Sequence, residues 1–149
     1  MRIVERDIVG AFILSSDDKI LLGHNKKGGV YQDQLIVPGG GIESGESRLD
    51  ALGREVMEET GINIAGAVVE EIEGHSTGES EKTLRDTGER VLMKMSFYDF
   101  KVMLPLLANE VVLKFEDDYS YAEWFSSEEL DGRPIGPATK ATLEKIKFI

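Results

Sequence analysis

Apolar residues come in short, separated runs along this chain, and their spacing predicts a mixed set of strands and helices. Ile8 to Leu14 is brief and rich in branched side chains, the pattern of a buried strand. Ser15-Ser16-Asp17-Asp18 reads as a turn, and Lys19 to Gly23 returns as its hairpin partner. His24 to Gln34 is polar and reads as a loop. Leu35-Ile36-Val37 is a short strand running into the bend Pro38-Gly39-Gly40-Gly41. Ser47 to Thr60 is the clearest helix: Leu49, Leu52 and Val56 recur at helical spacing, and Gly61 is placed to stop it. Ala65–His75 and Val91–Leu104 read as longer strands joined by a polar loop, Ser76–Arg90. Tyr121–Phe125 reads as a last strand, Ser127–Leu130 as a short helical turn, and Pro137–Lys147 as a terminal helix with proline near its start. No linker or repeat divides residues 1–149. One domain is predicted, an α/β fold with a mixed sheet and helices packed on its faces.

Composition narrows the function. The chain has 149 residues and no cysteine, which excludes disulfides, thiolate catalysis and cysteine-ligated metal centres. With 41% apolar and 30% charged residues it is not a disordered chain. A net charge of −11 disfavours binding to a nucleic acid polymer, but a bound cation can still reconcile such a surface with a small phosphorylated ligand. The longest apolar runs, Ile8–Leu14 and Val102–Ala108, are far short of the ~20 residues of a membrane span. Met1 to Asp7 carries acids where a secretory signal needs apolar residues, so a cytoplasmic location is expected.

The chemistry concentrates in the helix. With Leu49 at zero on a wheel of about 100° per residue, Leu52 falls at about 300° and Val56 at about 340°. On the same wheel Glu55 falls at about 240°, Glu58 at about 180° and Glu59 at about 280°. Three carboxylates within one turn repel one another, and they occupy the end of the helix where the macrodipole disfavours negative charge. A helix selected only for stability would avoid this. A hard divalent cation such as Mg²⁺ or Mn²⁺ resolves it. The bland alternative is a solvated acidic face. The glycine bend just upstream weighs against it, because such a bend brings backbone groups, the Gly40 carbonyl among them, close to a ligand.

From Gly40 to Ile62 the chain resembles the Nudix box: Gly40, then Glu46, Arg54-Glu55, Val56, Glu58-Glu59, Gly61 and Ile62, with every fixed position met. The resemblance implies an α/β/α sandwich that hydrolyses a nucleoside diphosphate linked to another group. It implies that Glu55, Glu58 and Glu59 carry Mg²⁺ or Mn²⁺, that Arg54 partners the box glutamates, and that Glu46 supports the loop–helix geometry. Outside the box, the Lys82–Arg90 loop, the aromatic strand after it and the ending Ala138–Leu143 are similar to a bacterial Nudix branch that acts on nucleoside triphosphates, pyrimidine deoxynucleotides among them. The leading expectation is therefore a pyrophosphohydrolase yielding a nucleoside monophosphate and pyrophosphate. The alternatives are action on ADP-ribose, a dinucleoside polyphosphate or a nucleotide sugar, or a non-catalytic nucleotide sensor, which the intact glutamates disfavour. The resemblance also admits a homodimer.

Further roles follow. A carboxylate must take the proton of the attacking water; Glu55 is the first choice, and Glu116, Asp117 and Asp118 are the alternatives. Arg54 falls at about 140° on the wheel, beside Glu58, where it can hold a carboxylate in place. Arg85 and Arg90 lie in the polar loop, which could close over a polyphosphate. Gly23 to Gly28 begins like a phosphate loop, but Gly29 stands where lysine is required. Lys26 and Lys27 then read as solvated surface, His24 and His75 as ordinary polar residues, and Trp124 as core.

Overall fold

The computed structural model describes residues 1–24, 34–115 and 121–149. Seven strands form one mixed sheet: β1 (Arg2–Leu14), β2 (Ile20–His24), β3 (Gly39–Gly41), β4 (Val68–Glu71), β5 (Ser76–Thr83), β6 (Arg90–Met103) and β7 (Tyr121–Phe125). The order is β4-β6-β1-β2-β7, with β3 paired to β1 and β5 paired to β6. β1 and β6 run parallel, from Arg2 opposite Val91 to Leu14 opposite Met103, and the other strand pairs are antiparallel. Helix α1 (Arg48–Thr60) covers one face and α2 (Pro137–Lys145) the other, an α/β/α sandwich.

Alternation along β1 builds both cores. Val9, Ala11 and Ile13 pack with Leu52 and Val56 of α1, while Phe12 packs with Leu143 of α2. Ser47 caps α1 by accepting the Asp50 N–H at 3.1 Å, and Gly61 ends it in the left-handed region at φ 77°. Leu49, expected on the apolar stripe, is 56% exposed; the buried face is Ala51, Leu52, Val56, Glu59 and Thr60. That rotation of the helix is what turns Glu55 and Glu59 toward the sheet.

Four expectations change. β1 begins at Arg2, not Ile8, because backbone pairing to β6 extends it through a polar stretch. The predicted polar loop Ser76–Arg90 is mostly strand: β5 pairs with β6 from Ser76 opposite Phe97 to Thr83 opposite Arg90. Its side chains are nearly all exposed, so no apolar alternation marks it, and it is set by main-chain pairing to β6 with exposed cross-strand ion pairs beside it. The three glycines, read as a bend, form strand β3. Gly39 has no alternative there, because a Cβ would collide with the Val9 carbonyl oxygen. The predicted strand Leu35–Val37 reduces to bridges from Ile36 to Gly23 and from Leu35 to Ile135.

Candidate active site

The second half of α1 lies against β3. Glu55 rests directly on Gly40: a Cβ there would come within 2.5 Å of the Glu55 carboxyl carbon. Glu59 is buried and accepts the Gly39 N–H at 2.9 Å. Glu58, one turn from Glu55, is 56% exposed at its side chain. The sequence reading and the geometry thus bring Glu55 and Glu59 together at one strand, with Glu58 at the rim.

Arg54 organises this cluster. Its Nε and Nη2 donate to the two oxygens of Glu46 at 2.8 and 2.9 Å. Nη1 donates to Glu55 Oε1 at 2.9 Å and Glu58 Oε2 at 3.4 Å, and Nη2 also donates to the Gly41 carbonyl at 3.0 Å. Glu43, not singled out from the sequence, stands 3.7 Å away. The Arg54 guanidinium, helped by the Glu43 N–H, pulls the Glu46 carboxyl down to about 2. The same pair raises the Arg54 guanidinium above its ordinary range. Glu46 and Arg54 therefore stay charged at any physiological pH, and the glutamate-bearing turn of α1 is clamped to the loop before it.

Gly40 needs correction as a carbonyl ligand. In an antiparallel ladder alternate residues bond across. Ile42 N–H bonds to Asp7 and Ala11 N–H to Pro38, which makes the even-numbered residues of this segment the ones facing β1. Gly40 stands opposite Val9, while Gly39 and Gly41 aim their backbone groups at the open edge. The Gly41 carbonyl is taken by Arg54, which leaves that of Gly39 as the edge carbonyl beside Glu59.

The residues fit a hard divalent cation. Oxygen donors converge on one strand edge, and the bare glycine strand makes the room that Glu55 occupies. Among the described residues, no three acidic or histidine side chains are already gathered into a closed cage.

Other expected residues lie elsewhere. Arg90 opens β6 and is bound to Glu81 at 2.8 Å and to Thr83 at 3.3 Å. It stands seven residues from Phe97, the β6 residue level with the glycine strand, or about 23 Å along the strand. Arg85 sits in the turn beyond it. The premise of a loop closing over the site is lost for both, because their segment is a hairpin pointing away. Glu116, Asp117, Asp118, Lys26 and Lys27 lie outside the described residues. Trp124 packs against the α1-side core as expected. His75 stacks on Tyr98 at 5.1 Å, and Arg48 covers the same ring at 3.7 Å while binding Glu71. On the other sheet face, burial pushes the Asp99 carboxyl up, although Thr142 donates to it at 3.2 Å; Gly10 makes the room it fills.

The NUDIX domain family model matches residues 4–148. The chain belongs to the Nudix family. It is 32% identical over 132 residues to the 8-oxo-dGDP phosphatase NUDT18 of Danio rerio, covering 79% of this chain but 40% of that longer protein. It is 27% identical over 139 residues to the nucleoside triphosphatase NudI of an Enterobacter strain, covering 93% and 94% of the two chains. The Escherichia coli dihydroneopterin triphosphate pyrophosphohydrolase shares the fold at a TM-score of 0.71 and 18% identity, over 93% and 92% of the chains. The protein is thus a Nudix hydrolase. No helix among its described residues is long and apolar enough to cross a membrane.

Proposed function

We propose that this Nudix hydrolase cleaves a nucleoside triphosphate, with pyrimidine deoxynucleotides as the first candidates, to the monophosphate and pyrophosphate. The observation that carries the reading is the Arg54-clamped set of carboxylates on a glycine strand. Similarity to the nucleoside triphosphatase NudI along nearly the whole chain supports the substrate class.

Glu55, Glu59 and the Gly39 carbonyl would hold a Mg²⁺ or Mn²⁺ ion, with Glu58 completing the set from the rim. When bound, the ion neutralises the carboxylates and polarises a phosphoryl oxygen. Glu55, held by Arg54 through one oxygen, takes the proton of the attacking water. The water oxygen bonds to the α-phosphorus, the α–β bridging bond breaks, and pyrophosphate leaves. Arg54 and Glu46 act before the reaction, by fixing the carboxylates so that little reorganisation remains.

A nucleoside diphosphate is the second reading, favoured by the likeness to NUDT18. A panel of nucleoside di- and triphosphates with Mg²⁺, reading pyrophosphate and orthophosphate separately, tests both. Pyrophosphate from a triphosphate, abolished by excess EDTA, is the expected result. Orthophosphate from diphosphates alone would favour the second reading, and full activity in EDTA would remove the metal from the account.

A further inference from the structure

Seven arginines stand in a chain of net charge −11. Arg2, Arg48, Arg54 and Arg90 each bind a carboxylate at 2.8–3.0 Å. Arg133 lies over the ring of Phe125, and Arg85 is in the distant hairpin turn. Arg6 differs from all of these. Among the described residues its guanidinium makes no hydrogen bond or ion pair, yet it is packed onto the α-carbon of Gly41, where any Cβ would collide with it.

Its position follows from the alternation of β1. Odd-numbered residues face α1 and even-numbered residues face α2, so Arg6 lies on the α2 face beside Ile8, the residue opposite Gly41. Glu55 covers Gly40 from the α1 face. A single glycine strand therefore separates the carboxylates from an uncommitted guanidinium. Its outer edge has no partner strand among the described residues. With no side chain on either face, the strand is thin enough for a flexible polyphosphate at that edge to touch both sides. In so acidic a protein, a cation kept beside the site without a carboxylate partner suits an anionic ligand, and the guanidinium fork matches phosphate oxygens.

We propose that Arg6 binds a phosphate of the substrate on the α2 side of the glycine strand, and that Gly41 lacks a side chain so that the guanidinium can lie there. The place of Arg6 in the reaction rests on the triphosphate reading above, but its binding of phosphate is tested apart from it. Calorimetric titration with imidodiphosphate in Mg²⁺, which resists hydrolysis, compares wild type with Arg6→Ala, Arg6→Lys and Gly41→Ala. One charge-assisted contact predicts binding weaker by about tenfold to a hundredfold in Arg6→Ala. Arg6→Lys should recover part of this, since it keeps the charge without the fork. Gly41→Ala should weaken binding through displacement of the guanidinium, and the double variant Arg6→Ala/Gly41→Ala should bind no worse than the poorer single. With the triphosphate turned over fastest, KM should rise by a similar factor while kcat stays within about threefold. A merely structural role would instead lower the melting temperature and leave Arg6→Lys as poor as Arg6→Ala. Equal affinity of Arg6→Ala and wild type, or no measurable binding by wild type, overturns the assignment. If wild type releases no pyrophosphate from any triphosphate, the hydrolytic reading falls, and the titration still decides Arg6.

Discussion

Arg54 with Glu46 and Arg90 with Glu81 are the same chemical pair at the same separation, 2.8 Å, in two regions of one molecule. The first has side chains 23% and 15% exposed, and its arginine reaches two further carboxylates and a carbonyl. The second is 56% and 55% exposed, on the rim of a hairpin where each side chain is free to solvate. Water screens the second pair and leaves it with little energy or direction. In the first, one planar cation ties loop, strand and helix together, so the pair acts as a jig for the groups around it. An ion pair gains functional meaning from what else its members hold, and separation alone says little.

Four perturbations test that contrast. The largest effect is expected at Glu59, the buried carboxylate that the glycine strand holds beside the jig. Glu59→Gln keeps the shape but removes a charge from the proposed metal site and should cut kcat by more than about a hundredfold, beyond the usual cost of losing a supporting residue. Its thermal midpoint in EDTA should hold or rise, because repulsion on α1 is relieved. Turnover within a few-fold of wild type would remove Glu59 from the site. Next comes Arg54→Ala, which should lower kcat by about tenfold to a hundredfold and weaken Mg²⁺ binding in a titration, with a small change in KM. A silent Arg54→Ala would make the two ion pairs equivalent and end the comparison.

Acid provides the third test. Glu46 titrates near 4.5 when unpaired and at about 2 in the folded protein. A depressed folded value stabilises the native state above the unfolded one and loses that contribution as pH falls through the folded one. Chemical denaturation should therefore show stability lost between pH 4.5 and about 2 in wild type, and Arg54→Ala should flatten that segment. An identical acid limb in both proteins would show that the pair contributes nothing. The smallest effect belongs to Arg90→Ala: kcat and KM within about twofold of wild type and a stability change below about 1 kcal/mol. A clear rise in KM would return the hairpin to the substrate.

The acidic cluster on α1 was legible because helical geometry is local. Seeing Glu55, Glu58 and Glu59 crowd one turn, with Arg54 beside them, takes only the fixed rotation per residue, and Ser47 and Gly61 mark the ends of that helix through their own backbone preferences. The hairpin Leu14–Ile20 and strand β7 carried their apolar signal in the same way. Other features depend on partners distant in sequence. β5 is polar on both faces and becomes a strand only because β6 offers a row of main-chain donors and acceptors. β1 reaches back to Arg2 for the same reason. The glycine run is a strand and not a bend because the Val9 backbone passes too close for any side chain, and its pairing register decides that Gly39, not Gly40, turns a carbonyl to the open edge. Arg6 shows the limit most clearly. Nothing in its neighbours along the chain sets it apart from the other arginines. Its meaning appears only when folding lays it across Gly41, a residue distant in sequence that has no side chain to resist it.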